Sequence, residues 1–348
     1  MRHLIVVWNE SVDSAFEKHT PLAFNGNRNR RLGSKAVTDV LFLEGLNLLS
    51  EGYRERLSTL GYHLHDVERM YRRLRDRYKP LARFGDYEQK CFLRWLVIQH
   101  FCGNEPFVHN DADIVFNATP EEIEADFSGL TFMLQGCPAY TRVDDPTWLK
   151  VYRVELDRLA ADVEAYSGEA WRERPAFAST FRERNGALWN RRILSSDQDL
   201  LQFLTLSGRL PQADAATIGA RCSTALFQNP LVIGSDIQIP LPLSYERRNG
   251  IDYVGGRKVA FWHMQGDFSD YLGYATFCRQ FGDKRRVQWV RAKRPWTYVA
   301  YCAMKGLNSA YSRGQLIRRY FGDQSVDLGF LMNDEKFWQS GVFMSAKP

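Results

Sequence analysis

The feature that most limits the fold of this chain is a short apolar run near its start, His3-Leu-Ile-Val-Val-Trp8. The run is rich in β-branched residues and stops at the polar Asn9, so it predicts a buried strand followed by a loop. Similar apolar strands alternate with helix-like patterns further along the chain. Because such alternation is typical of a sheet covered by helices, we expect an α/β layered fold rather than an all-α or all-β fold.

Apolar spacing and turn residues predict where the other elements lie. Strands are predicted at 106–109, 130–134 and 259–262, and helices at 36–60, 65–78, 88–101, 147–166 and 197–206. The first of these helices is interrupted near Gly45 and Gly52, and the third is apolar nearly all round, so it should be buried. The residues Thr119-Pro-Glu-Glu122 have the composition of a capping box and predict the start of a further helix.

Composition and cysteine usage limit the class of protein. The chain has 348 residues, 45% of them hydrophobic, which is enough for one large core and typical of a soluble globular protein. No apolar run approaches the roughly 18–20 residues that cross a bilayer, and the first residues become polar too soon for a secretory signal. The six cysteines include no Cys-x-x-Cys pair, which favours buried, reduced thiols. We therefore expect a cytoplasmic protein.

Charge is distributed unevenly along the chain. The net charge is +5, but the segment from Arg279 to Arg319 contains eleven lysines and arginines and one acidic residue, Asp283. The simplest division is therefore a main domain at 1–270 and a basic, aromatic-rich extension at 271–348. Cations mixed with aromatic residues can bind nucleic acid or dock on an anionic membrane surface, and they also occur on core helices whose basic side chains reach solvent. A local excess favours a local anionic partner over general binding of nucleic acid.

A pair of aspartates, Asp111 and Asp113, follows the strand predicted at 106–109. Two carboxylates at positions i and i+2 of a turn can bind one divalent cation, and oxygen ligands suit Mg²⁺ or Mn²⁺, which leave positions open for phosphates. In open α/β sheets, ligands gather at the carboxyl ends of strands, where this pair should lie. The alternative is a plain turn that includes Asn110. Charges between apolar segments are costly unless something binds them, which favours the metal site.

The segment from Arg94 to Asp113 resembles the donor-binding core of GT-A glycosyltransferases, in which a helix bearing an arginine precedes a short strand and an Asp-x-Asp motif. The usual Gly-Gly turn is replaced by Gly103-Asn104 with a longer spacing, so the chain resembles a divergent member. The resemblance implies a GT-A-type, Rossmann-like mixed sheet flanked by helices. It also implies that Asp113 and Asp111 bind the metal, that Asp111 contacts the donor, and that Arg94 lies near the donor sugar or phosphates. The alternative for Arg94 is a salt bridge that holds its helix.

A second element of the same resemblance is Ser195-Ser-Asp-Gln-Asp-Leu-Leu201. GT-A enzymes carry an Asp-Gln-Asp element downstream of the metal site, where its acids approach the acceptor or the sugar hydroxyls and can act as a general base. The resemblance therefore implies catalytic roles for Asp197 and Asp199. The alternative is a purely structural role, in which Ser196 or Asp197 caps the helix. Acids in the first turn also interact favourably with the helix dipole and so stabilise the helix.

A third element is Phe261-Trp-His-Met-Gln-Gly266, which resembles the late His-x-x-Gly element of several GT-A families. It implies His263 as a third metal ligand and Gly266 as a site of close backbone approach to phosphate. The Lys-Pro-Trp triplet that often follows is missing, and a lone histidine beside aromatic residues is also common in protein cores. The resemblance further implies that the strand ending at Trp8 and Asn9 begins the nucleotide-binding part.

These elements predict a metal-dependent glycosyltransferase with a catalytic domain at 1–270. It would move a hexose or pentose from a nucleoside-diphosphate sugar to an acceptor hydroxyl with Mn²⁺ or Mg²⁺, and retention is slightly favoured over inversion. The acceptor would be a glycan, a lipid-linked molecule or a protein, and the basic extension suggests peripheral association with the inner face of an anionic membrane. The alternatives are a nucleic-acid-binding protein, which is disfavoured, a metal-dependent nucleotidyltransferase, and a non-catalytic binder of nucleotide sugars.

Overall fold

A computed structural model describes residues 1–9, 22, 25–26, 29–112, 114–133, 138–145, 147–174, 193–213, 224–228, 232–233, 244–249, 251–254 and 256–263. The other positions, which include Asp113, Gly266 and all of 271–348, lie outside the described residues. The predicted domain boundary at residue 270 also lies outside them, so the division into domain and extension stays a prediction.

The described residues form two sheets and seven α-helices. The strands are β1 (Arg2–Trp8), β2 (Thr38–Glu44), β3 (Tyr62–Asp66), β4 (Phe107–Asn110), β5 (Ile114–Phe116), β6 (Phe132–Met133), β7 (Tyr140–Val143), β8 (Thr224–Gln228), β9 (Val232–Ile233), β10 (Tyr245–Arg248), β11 (Ile251–Val254) and β12 (Arg257–His263). The helices are α1 (Glu51–Thr59), α2 (Glu68–Arg77), α3 (Asp86–Cys102), α4 (Pro120–Asp126), α5 (Thr147–Ala161), α6 (Val163–Glu173) and α7 (Asp197–Leu206).

The first sheet has the strand order β3-β2-β1-β4-β7-β6. Strands β1 to β4 run parallel, whereas β7 is antiparallel to both of its neighbours. Successive side chains of β1 point to opposite faces, so Leu4 and Val6 pack into one core cluster and Ile5 and Val7 into another. The expected mixed α/β sheet flanked by helices is confirmed.

The predicted helix at 36–60 is wrong in its first half, which forms β2. Val40, Leu41, Phe42 and Leu43 are all fully buried, so this run is apolar on both faces of the sheet. A central parallel strand requires that pattern, and over a short apolar run it cannot be told from helical spacing. The helix of this region, α1, starts only after Ser50, whose hydroxyl accepts a hydrogen bond from the backbone N–H of Tyr53 at 3.3 Å.

The predicted helix at 147–166 is divided into α5 and α6. Asp162 separates them and caps α6, because its carboxylate accepts from the backbone N–H of Ala165 at 2.9 Å. By contrast, α3 is a single buried helix as predicted, with Cys91 and Cys102 as buried free thiols. Helix α3 packs with α5, α6 and α7 in the larger hydrophobic core, and this contact positions the site described below.

The second sheet has the order β10-β11-β12-β8-β9, and β5 pairs with the end of β12. Asn117 follows β5 and is fully buried. Its side-chain amide donates to the carbonyls of Asp252 at 3.1 Å and Val259 at 2.7 Å, and its Oδ1 accepts from the Asp252 N–H at 3.1 Å. The chain passes from the first sheet to the second between β4 and β5, and Asn117 fixes the end of β5 to β11 and β12. None of the helices built from the described residues has the length and apolar character needed to cross a membrane.

Candidate active site

The carboxyl ends of β1, β2 and β4 meet at one edge of the first sheet. Asn9 follows β1 and is 3% exposed. Its backbone N–H donates to the carbonyl of Glu44 at 3.0 Å, and its side-chain amide donates to the carbonyl of Gly45 at 3.0 Å. A Cβ on Gly45 would lie 2.4 Å from the Asn9 carbonyl oxygen, and the φ angle of 78° also favours glycine there. Trp8 and Asn9 therefore lie at the edge where sheets of this kind bind ligands.

Arg94 connects two of the predicted site acids. It lies on α3 and is 5% exposed. Its Nη1 donates to Asp111 Oδ1 at 2.7 Å, its Nε donates to Asp197 Oδ2 at 3.0 Å, and its Nη2 lies 2.8 Å from the same Asp197 oxygen. Burial lowers the pKa of Arg94, but attraction to Asp197 and Asp111 outweighs it and holds that pKa well above its usual value. The salt bridge considered as the alternative for Arg94 is present, and both of its acids were predicted to belong to the site.

Asp197 opens α7 and is 2% exposed. In addition to Arg94, the indole Nε1 of Trp95 donates to its Oδ2 atom at 3.0 Å. Two adjacent residues of α3 therefore supply three donor atoms to a single carboxylate oxygen. This contact fixes the start of α7 against α3 and brings Asp197 within reach of the same guanidinium that holds Asp111.

Asp199 and Ser196 form a capping box at the start of α7. The Ser196 hydroxyl accepts from the Asp199 N–H at 3.1 Å, and Asp199 Oδ2 accepts from the backbone N–H groups of Ser195 at 2.8 Å and Ser196 at 3.2 Å. Burial raises the pKa of the Asp199 carboxyl to about 7, although hydrogen bonds from Ser195 and Ser196 lower it. Ser196 is therefore the cap, as one of the predicted alternatives had it. Of the two acids at this helix start, Asp197 binds Arg94, whereas Asp199 binds Ser195 and Ser196.

His109 is a site residue that the sequence reasoning missed. It is fully buried on β4, with its ring edge-on to Trp95 at a centroid distance of 5.2 Å. Its Nε2 lies 3.3 Å from Asp111 Oδ1, and neither ring nitrogen forms a hydrogen bond of normal geometry with another described residue. Burial lowers the pKa of this imidazole, although the neighbouring Asp111 raises it. His109 is therefore a buried ring in contact with Trp95 and close to Asp111, and its burial favours the neutral form.

The first turns of α3 add three more residues that were not predicted: Tyr87, Glu88 and Lys90. Lys90 is fully buried, with its ammonium 3.0 Å from Glu44 Oε2 and 5.8 Å from the ring centroid of Trp8. Tyr87 is 60% exposed, and its ring meets Trp8 edge-on at 5.5 Å. In the sequence, charged residues stand out in a helix that is otherwise apolar all round. Because a buried charge is costly without a partner, such positions indicate that something binds them.

The predicted metal ligands are described only in part. The side chain of Asp111 is 28% exposed, and Arg94 holds its Oδ1. The backbone of His263 pairs with Ile114 across β12 and β5, which places it beside the chain segment that follows Asp113. Asp113, the His263 side chain and Gly266 lie outside the described residues. Within the described part of the chain, no group of three His, Cys, Asp or Glu residues could hold a metal ion, so the three-ligand site stays a prediction.

Comparisons with known proteins give a limited result. No family model matches the sequence, and no curated protein matches it in a sequence comparison. Among solved structures, the fold is similar to the crystal structure of mouse xyloside xylosyltransferase 1 in its apo form, with 12% sequence identity and a TM-score of 0.37. The similarity covers 66% of this chain and 88% of the other. A likeness at this level indicates neither family nor activity.

Proposed function

We propose that this protein is a glycosyltransferase that uses a nucleoside-diphosphate sugar and a divalent metal ion. The observation that supports this most is the guanidinium of Arg94, which binds Asp111 after β4 and Asp197 at the start of α7. The two acids stand 17 and 103 residues from Arg94 in the sequence. The resemblance to GT-A enzymes assigns both acids to the donor site, and their meeting on one arginine beside the carboxyl end of β4 supports that assignment.

One described residue, Asp111, offers an oxygen ligand of the kind that a hard divalent cation takes. The carboxylate of Asp111 is partly exposed to solvent and is held by the buried Arg94. Carboxylate oxygens that are oriented by a neighbouring side chain suit Mn²⁺ or Mg²⁺. Asp113 and His263 would complete the ligand set, which the pairing of His263 with Ile114 supports. When bound, the ion would neutralise the charge on the departing diphosphate.

The protein's own residues would bind and orient the donor. Trp8 and Asn9 border the edge where the nucleotide would lie, and Arg94 keeps Asp111 and Asp197 in fixed positions. Asp197 and Asp199 stay candidates for contact with the sugar or the acceptor, although the Oδ2 atom of each is already occupied by several donors. The retaining outcome, Gly266 at the phosphates and the acceptor classes remain predictions of the resemblance.

The other predicted partners depend on 271–348, which lies outside the described residues. No contact among the described residues favours nucleic acid or a membrane surface over the sugar donor. Cytoplasmic location also stays a prediction.

A thermal-shift panel of uridine-, guanosine- and adenosine-diphosphate sugars, each with and without Mn²⁺, tests the proposed function. One donor should raise the melting temperature only with Mn²⁺, because a ligand present at 100 times its Kd stabilises the folded state by about 2.7 kcal/mol. Asp111→Asn and Asp113→Asn should abolish this shift, as should a chelator. Asp76→Asn, which removes an exposed carboxylate on α2, is the matched control and should keep it. A wild-type protein that responds to no nucleotide sugar would contradict the proposal.

A further inference from the structure

Glu88 lies on α3, the helix that carries Arg94 and Trp95 of the candidate site. It is half-buried in the first turn of α3, next to the exposed Tyr87. Glu88 lies seven positions before Trp95, which is close to two helical turns. The two residues therefore share one face of the helix, about 10 Å apart along its axis. Trp95 binds Asp197, which means that this face of α3 is directed toward the start of α7. Glu88 is therefore a half-buried acidic side chain on the face of α3 that is directed toward the start of α7.

Glu88 differs from the other acids of the site in its hydrogen bonding. Asp197 and Asp199 are 2% and 3% exposed, and each has an Oδ2 atom that accepts several hydrogen bonds from the protein itself. Asp111 is bound by Arg94 and is the predicted metal ligand. By contrast, the carboxylate of Glu88 forms no hydrogen bond with any described residue, so it can accept one from a bound molecule.

We propose that Glu88 is a further catalytic residue, which accepts the proton of the acceptor hydroxyl during transfer. The inference rests on the proposed function, because it needs a donor sugar beside Asp111 and Asp197. The acceptor oxygen forms a bond to the anomeric carbon, the bond from that carbon to the diphosphate oxygen breaks, and the diphosphate leaves with the electron pair. The acceptor proton moves to the Glu88 carboxylate.

The electrostatic surroundings of Glu88 suit this role. Burial, together with the negative charges of Asp197 and Asp199 on α7, raises the pKa of its carboxyl to about 7, against the opposing positive charge of Arg94 on α3. A general base works best when its pKa lies near the operating pH, since it is then both partly ionised and basic enough. Because a side-chain base assists direct displacement, the proposal favours inversion, whereas the resemblance slightly favours retention.

Donor hydrolysis, with water as the acceptor, tests the role without knowledge of the natural acceptor. The full-length protein is assayed with Mn²⁺ and the nucleotide sugar that binds in the thermal-shift panel. Glu88→Gln should keep the Mn²⁺-dependent thermal shift but lower kcat by about 100- to 10,000-fold. The wild-type kcat should rise with pH through about 7, and Glu88→Gln should lose this rise. Glu51→Gln, an exposed first-turn glutamate on α1, is the matched control and should behave as wild type.

The outcomes separate the two proposals. If the wild type shows no Mn²⁺-dependent binding of any nucleotide sugar, the proposed function fails, and the role of Glu88 fails with it. If the wild type binds a donor but does not hydrolyse it, or Glu88→Gln hydrolyses it at the wild-type rate, the role of Glu88 alone is overturned. Loss of donor binding in Glu88→Gln, with an unchanged melting temperature of the free protein, would likewise assign Glu88 to binding and overturn the catalytic role.

Discussion

Two helices among the described residues start with the same local motif but in different surroundings. At α4, Thr119 and Glu122 form a capping box on the surface, where the Thr119 hydroxyl accepts from the Glu122 N–H at 3.2 Å. At α7, Ser196 and Asp199 form the equivalent box, but Asp199 is 3% exposed and the preceding acid, Asp197, binds Arg94. The comparison teaches that helix capping and a buried ion pair to a neighbouring helix are not competing explanations, since the start of α7 has both.

Removal of a first-turn acid should lower the free energy of unfolding much more at α7 than at α4. Asp197→Ala leaves Arg94 buried with one of its two carboxylates missing, so we expect a loss of about 3–5 kcal/mol in the free energy of unfolding. Glu121, in the first turn of α4, is exposed and accepts hydrogen bonds from Ser34 Oγ at 2.8 Å and the Lys35 N–H at 2.7 Å. Glu121→Ala should cost only about 1 kcal/mol. Urea denaturation at pH 7 measures both, and equal losses would contradict the contrast.

Removal of the capping hydroxyls should have a smaller and nearly equal effect on stability. Ser196→Ala and Thr119→Ala each delete one hydrogen bond to a helix N–H, which costs about 0.5–2 kcal/mol. Their effects on donor binding should differ, because only the Ser196 cap holds the segment that carries Asp197 and Asp199. The Mn²⁺-dependent thermal shift should therefore shrink in Ser196→Ala and remain in Thr119→Ala. An equal loss of the shift in both variants would show that the buried box has no special link to the site.

The two helix starts should also differ in the sign of their pH dependence. Burial raises the folded-state pKa of Asp199 from 3.8 to about 7, so its contribution to stability is present below about pH 4 and is lost as the pH rises through about 7. At Glu121 burial also raises the pKa, but hydrogen bonds from Ser34 and the backbone of Lys35 outweigh it and leave the pKa below 4.5. Its contribution is therefore present above pH 4.5 and is lost as the pH falls.

Melting temperatures across pH measure this difference. Asp199→Asn should become more stable relative to wild type as the pH rises from about 5 to 8, because the wild type then ionises a buried carboxyl. Glu121→Gln should become less stable relative to wild type as the pH rises from about 3 to 5. If the melting temperatures of both variants, relative to wild type, change in the same direction as the pH rises, the different surroundings of the two acids do not cause the pH dependence.

The sequence allowed the local features to be predicted but not the contacts between distant segments. Both helix starts, the buried helix α3 and the strand β1 follow from spacing and capping residues within a few positions. The first half of the helix predicted at 36–60 was wrong, because a short apolar run has no periodicity that separates strand from helix. The partners of Arg94 and the position of Glu88 depend on how α3 packs against α7, which spacing along one helix does not determine.

The hydrogen bonds of Asn117 have a consequence for the order in which the molecule is assembled on the ribosome. Its side chain binds backbone groups that are 135 and 142 residues further along the chain. All six described strands of the first sheet have been made once Val143 has been added, whereas β5 remains without its partner until β12 emerges. Pairing at such long separation is slow because the loop must close before the contacts form. Strand β5, which follows the aspartate pair, therefore acquires its partner β12 later in synthesis than the described strands of the first sheet acquire theirs.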